Sequence, residues 1–283
     1  MERYIDNQTF TGERAKFMSK KARFYRCVFK DGESPLKESS DIALDTVEFH
    51  WKYPIWYCNH VRCHNVTFLE TARSGVWYTN DIEFVACNIE APKTFRRCDV
   101  VRLINVKMPN ANETFWSCKN IFIDQVHAVG DYFGFNSQGI EVNNLTLDGN
   151  YAFDGGKDIV IRCSALNSKD CFWNCENVTV VNSTIVGEYL GWNSKNVTFI
   201  NCKIISHQGL CYMENVKLVN CQLIDSDLCF EFCKNIDAEI TTEIDSVINP
   251  SSGVIKAKGI KELIIDENQV DPNATKIING YEE

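Results

Sequence analysis

The sequence predicts an all-β fold, a single-stranded right-handed parallel β-helix of about 12–13 coils of about 19 residues, with three short strands per coil. Three observations predict it: a repeat running through most of the chain, period-2 alternation inside each repeat, and an aromatic-rich stretch before each repeat. A period of this length decides the fold before local propensity does.

The repeat shows when segments are stacked: VRCHNVTF from Val61, IEFVACNI from Ile82, VRLINVKM from Val101, IFIDQVHA from Ile121, IEVNNLTL from Ile140, IVIRCSAL from Ile159, VTVVNSTI from Val178, VTFINCKI from Val197 and VKLVNCQL from Val216. ARFYRCVF from Ala22 and IALDTVEF from Ile42 extend it forward, and IDAEITTE from Ile236 and IKELIIDE from Ile260 extend it more loosely behind. With the first residue of each segment taken as an anchor, five consecutive anchor spacings are 19 residues. The anchor, anchor+2 and anchor+7 are nearly always apolar, and anchor+5 is apolar or small, so each segment holds two short strands and a bend. A third strand precedes the anchor, as in FWSCKN at Phe115, FWNCEN at Phe172 and GWNSKN at Gly191. A leucine-rich repeat would carry its own Leu/Asn signature and a helical stretch, and neither occurs.

At the bend, anchor+4 is asparagine at Asn65, Asn105, Asn144, Asn182, Asn201 and Asn220, which predicts a stacked amide ladder at a left-handed corner. Cysteines three residues before the anchor, Cys58, Cys98, Cys118, Cys175 and Cys233, read as small buried residues; lying on separate coils without CxxC pairs, they make no metal cage. Trp56, Trp77, Trp116, Trp173 and Trp192 all stand five residues before their anchors and form one line. If the cysteines two residues later face the core, strand alternation turns the tryptophans inward as well. Residues 22–265 are expected to form the β-helix, with 1–21 an N-terminal cap and 266–283 a C-terminal cap or tail, all one domain.

The 283 residues are 45% apolar with no Pro-, Gly- or Ser-rich linker, and a net charge of −9 with scattered Lys and Arg argues against nucleic acid or a polybasic membrane patch. The opening MERYIDNQTFTGERAKF holds no apolar run of signal-peptide length, and no segment has the roughly 20 apolar residues of a membrane span. The expectation is a cytoplasmic protein whose 14 cysteines are reduced and unbridged.

By the same alternation, the positions four and eight before the anchor face solvent together. They place Tyr132, Tyr151, Asp170, Asn174, Tyr189, Asn193 and Tyr212 on one exposed strip, with the carboxylates Asp154 and Glu188 beside them. Tyrosine rings suit sugar faces and amides suit sugar hydroxyls, so these nine residues are the ligand-binding candidates. The five histidines show no metal spacing, and there is no Gly-rich phosphate loop, GxSxG elbow or HExxH motif. No metal and no cofactor is expected, and no catalytic residue is assigned.

The strings QTFTGERAKF, GESPLKESSDI, GEYLGWNSKNVTFINC and CYMENVKLVNC resemble an uncharacterised bacterial family of β-helix proteins, and the stacked pattern resembles the pectin-lyase-like β-helices. The family resemblance covers nearly the whole chain and, the family being of unknown function, implies a fold and assigns no catalytic residues. The wider one implies contact with acidic polysaccharides, although fold alone does not transmit an activity. The leading reading is non-catalytic binding of carbohydrate or another elongated ligand along the strip. The alternatives are a polysaccharide lyase or glycoside hydrolase of pectin-lyase type, and a protein-interaction scaffold.

Overall fold

A computed structural model describes residues 3–280. The chain divides into two compact units, residues 1–147 and 148–283. Both are parallel β-solenoids with a spacing near 19 residues, about 15 coils in all. Helical structure among the described residues is a single 3-10 turn, Glu70–Ala72, and no helix is long and apolar enough to cross a membrane.

In the first unit the main strands are Arg3–Asp6, Lys20–Tyr25, Ser40–Asp45, Asn59–His64, Asn80–Val85, Asp99–Met108, Lys119–Val129 and Gln138–Asp148. The anchors pair directly, Ala22 with Ile42, Ile42 with Val61, Val61 with Ile82, Ile82 with Val101 and Val101 with Ile121. Each is buried. Seven residues on, Phe10, Phe29, Phe49 and Phe68 stack with ring centroids 4.8–4.9 Å apart, so identical side chains on successive coils fill the core as a column.

The second unit repeats the plan with Lys157–Arg162, Glu176–Val181, Lys195–Ile200, Glu214–Leu223, Ile236–Ile248, Gly253–Ile264 and Thr275–Asn279. Ile159, Val178, Val197 and Val216 are paired in one inward column.

The coil count exceeds the expected 12–13 for two reasons. The stretches assigned to caps contribute coil strands themselves, since Arg3 pairs with Ala22 and Thr275 pairs with Gly253. Ile260 is also not the anchor after Ile236: Gly253 pairs with Ile236, and Ile260 pairs with Ile244. Gly253 has φ +122°, and a Cβ there would lie 2.2 Å from the Ile236 carbonyl oxygen, so the position needs glycine and hides an anchor from any search for apolar residues.

The corners are made by single residues in the left-handed region. At anchor+4 they include Asn65, Asn105, Asn144, Asn182, Asn201 and Asn220, with φ between 50° and 52°. Only three of these form a continuous ladder: the Asn201 amide donates to Asn182 at 3.1 Å and the Asn220 amide to Asn201 at 3.1 Å. Asn65, Asn105 and Asn144 alternate with Ala86, Gln125 and Cys163, which take the same backbone angle, so no amide chain runs through them. A longer ladder stands one residue before the anchor, where Asn177, Asn196, Asn215 and Asn235 each donate to the residue one coil earlier, starting at Asp158, over 2.7–3.0 Å.

The corner N–H groups that leave the strand ladder are met by small inward side chains of the next coil. The Cys118 and Cys175 N–H groups donate to Ser137 and Ser194 Oγ at 2.8 Å, Cys98 N–H to Cys118 Sγ at 3.4 Å, and Met213 N–H to Cys233 Sγ at 3.3 Å. In turn the Cys175 thiol donates to the Phe153 carbonyl at 3.0 Å. Cysteine therefore stands in for serine here as a small group that fits the core and closes a buried hydrogen bond.

Two predictions follow from the corners. Replacing Asn196, which links to amides on both sides, by Leu should cost about 1–3 kcal/mol in urea unfolding through unpaired amides and a strained left-handed residue, with Asn196→Gly milder. Equal urea midpoints for wild type and Asn196→Leu would contradict the ladder's role. Every cysteine but Cys163 is buried, and burial raises the thiols of Cys58 and Cys211 to about 12 and of Cys87 to about 11. Iodoacetamide at neutral pH should then label native protein at Cys163 alone and all 14 cysteines after unfolding, read by peptide mass spectrometry.

Candidate functional site

On the third side of the second unit, alternate residues are left-handed: Tyr151, Phe153 and Gly155; Asp170, Phe172 and Asn174; Tyr189, Gly191 and Asn193; Gln208, Leu210 and Tyr212. The coils still bond to one another, for example Asp170 N–H to the Glu188 carbonyl and Asn174 N–H to the Trp192 carbonyl, both at 2.9 Å. The stretch is a run of turns in place of the expected third strand; in the first unit that strand does form, at Ile55–Trp56, Val76–Trp77 and Phe95–Arg96.

Left-handed residues break the period of 2. Cys171 and Phe172 are consecutive and both buried, Trp173 is half-buried, Asn174 is exposed and Cys175 is buried. The tryptophan line therefore lies on the outside although the cysteines two residues later face the core, which corrects the inward stack that simple alternation implied. In the second unit the two indoles are tied to backbone one coil on, Trp173 Nε1 donating to the Tyr189 carbonyl at 3.1 Å and Trp192 Nε1 to the Gln208 carbonyl at 3.0 Å.

Of the nine candidates, eight lie in this unit and are brought together; Tyr132 lies in the first unit, beside Trp116 and Phe135. Asn174 and Asn193 are exposed and linked, with Asn193 donating to Asn174 at 2.9 Å and Asn174 to the Asp154 carboxylate at 3.1 Å. Tyr151 and Tyr189 are half-buried and meet Trp173 and Trp192 edge-on. Tyr212 is 43% exposed and tilted 52° to Trp192. Asp170 is not an exposed residue: it is only 2% exposed. Burial pushes its carboxyl above the ordinary value, with Glu188 and Asp154 adding to the shift and Lys169 and a hydrogen bond with Tyr151 opposing it.

Glu188 pairs with Lys169 at 3.0 Å, and the Lys169 ammonium sits 5.0 Å from the centre of the Tyr189 ring. His207 meets Asp227 at 2.7 Å, and Gln208 donates to Glu231 at 3.1 Å. Trp173, Trp192, His207, Gln208 and Asp227 were missed as site residues because an inward tryptophan line drew attention away from their columns. Glu231, at the tryptophan-equivalent position, is half-buried and satisfied by Gln208. Among the described residues no group of three or more His, Cys, Asp or Glu side chains is placed to hold a metal ion.

The same columns in the first unit have another character. Trp56 and Trp77 stack in parallel at 4.9 Å, as do Tyr57 and Tyr78 at 4.8 Å, and the Arg96 guanidinium lies 4.6 Å and 5.0 Å from the rings of Trp77 and Trp116. Ring faces there are occupied by one another and by arginine.

Comparison with known proteins places the chain in a family. A model described as "Protein of unknown function (DUF3737)" matches residues 3–278, and the chain belongs to that family. No curated protein matches it. Among solved structures it is similar to PfbA, a surface adhesin of Streptococcus pneumoniae, with 10% identity, TM-score 0.33, and coverage of 93% of this chain and 71% of that one. It is also similar to the periplasmic alginate epimerase AlgG, with 9% identity, TM-score 0.29, and coverage of 96% and 76%. The plasmid-mediated fluoroquinolone resistance protein QnrB1 shows 11% identity, TM-score 0.27, and coverage of 70% and 92%. These scores are too low to carry an argument about activity.

The raised Asp170 carboxyl fixes a sign. A carboxylate whose folded value lies above its unfolded value makes the native state bind the extra proton, so its contribution weakens stability as pH rises through that window. Asp170→Asn should accordingly raise the urea midpoint near pH 7, with the gain vanishing below the ordinary carboxylate range at about pH 3. A difference independent of pH would contradict it.

Proposed function

We propose that the protein is a carbohydrate-binding solenoid that holds an extended sugar chain along the third side of its second unit, without turning it over. The observation that carries this reading is the arrangement of rings. Tyr189 and Tyr212 contact their aromatic neighbours edge-on or tilted, and among the described residues no parallel ring closes their faces, although the Lys169 ammonium sits over one face of Tyr189. Sugar rings dock on such faces, and the exposed Asn174–Asn193 amides beside them suit hydroxyl groups. The tyrosines come from neighbouring coils, so the surface repeats along an elongated ligand, whereas a small molecule would need one enclosed pocket.

The buried Asp170 favours a second reading. A carboxyl held above its ordinary value beside Tyr151, Glu188 and Asp154 is suited to proton donation, as a glycoside hydrolase or lyase requires.

A glycan-array screen followed by calorimetry tests both. The binding reading predicts that Tyr189→Ala combined with Tyr212→Ala abolishes capture of any glycan found, while stability falls by no more than about 1–2 kcal/mol because both positions are incompletely buried. Unimpaired binding by the double variant would overturn the assigned surface. Release of unsaturated or reducing sugar ends by the wild type, lost in Asp170→Asn, would replace the binding reading with the enzymatic one.

A further inference from the structure

We infer that this strip selects glycans carrying primary ammonium groups, that is, amino sugars without N-acetylation; the inference rests on the carbohydrate reading of the same surface. The charge on the strip points this way. Asp154, Glu188, Asp227 and Glu231 stand on it against Lys169 and His207, which pair with Glu188 and Asp227, so a polyuronate would meet an excess of like charge.

The molecule itself shows how a primary ammonium is accommodated. The Lys169 Nζ lies 5.0 Å from the Tyr189 ring centre while Glu188 holds it at 3.0 Å, an aromatic face and a carboxylate sharing one cation. Tyr212 and Glu231 reproduce that pair of groups further along. The Tyr212 N–H donates to the Glu231 carbonyl at 2.7 Å, which sets the two residues side by side on adjacent coils. Glu231 also accepts a hydrogen bond from Gln208, which holds the carboxylate in place, yet among the described residues no Lys or Arg forms an ion pair with it. A ring 43% exposed and a fixed carboxylate without a cation of its own are the groups that recognise an ammonium on a ligand.

The alternative occupants are distinguished by their charge. A neutral glycan would use the ring faces and amides but leave Glu231 without a role, and an anionic glycan would be repelled by it. A sugar with a free 2-amino group supplies an ammonium while keeping the ring face and hydroxyls that the tyrosines and asparagines serve.

The test is calorimetry of the full chain at low salt and about pH 6, where the amine is protonated, with four probes: glucosamine oligomers, their fully N-acetylated counterparts, cello-oligomers and oligogalacturonate. The expected result is that glucosamine oligomers bind about tenfold or more tightly than the N-acetylated ones, that oligogalacturonate does not bind, and that added salt erases most of the preference. Glu231→Gln, which keeps the size of the side chain and an oxygen to accept from Gln208, should remove about five- to tenfold of glucosamine affinity and leave N-acetylated binding unchanged. Equal affinity for the two sugars, or a Glu231→Gln variant that retains the preference, overturns this inference while the carbohydrate reading stands. Binding of oligogalacturonate alone overturns it as well. Failure of all four probes counts against the carbohydrate reading itself and removes the ground of this one.

Discussion

The fold depends on a local constraint, the left-handed residue that turns each corner of each coil. Backbone angles near φ +50° recur at anchor+4 and again one residue before the anchor, coil after coil. For an L-residue that conformation is unfavourable in isolation, and it is held here because the coils above and below bond to the turned backbone. Once the corners are in register, the strands between them have one alignment available, and valine stacks on valine and phenylalanine on phenylalanine. The small corner side chains follow from the same constraint. A chain that leaves its sheet at a corner carries an N–H off the ladder, and Ser137, Ser194 and Cys233 close that hydrogen bond without enlarging the core.

The strands and their register were legible because apolar anchors at 19-residue intervals have few ways of being buried together. The direction of the tryptophans was not, since period-2 reasoning assumes extended backbone throughout. Asn174 and Asn193 are left-handed, and the faces on either side of them exchange. The buried state of Asp170 was hidden for the same reason. The ladder through Asn177, Asn196, Asn215 and Asn235 is legible in the sequence, because each directly precedes an anchor. The first coil and the last two are hidden in the sequence because Arg3, Gly253 and Thr275 occupy positions that apolar residues fill elsewhere.

Broken alternation also makes the candidate surface. A regular third strand, as at Val76–Trp77, stacks its aromatic rings in parallel and closes their faces. The turn-rich version in the second unit tilts the rings of Tyr189 and Tyr212 against Trp192 and sets carboxylates among them. Membership of a family of unknown function leaves that surface to be read from its own chemistry, in which aromatic faces, amides and an excess of negative charge coincide.

Hydroxyl-radical footprinting of the native protein tests most directly whether these columns face outward, since oxidation reports side-chain exposure residue by residue. The account predicts ready labelling of Trp173, Trp192, Tyr189 and Tyr212, with Phe153, Phe172 and Phe230 silent, and protection of the labelled rings when a bound sugar chain is present. Tryptophans as silent as those core phenylalanines in the free protein would contradict it.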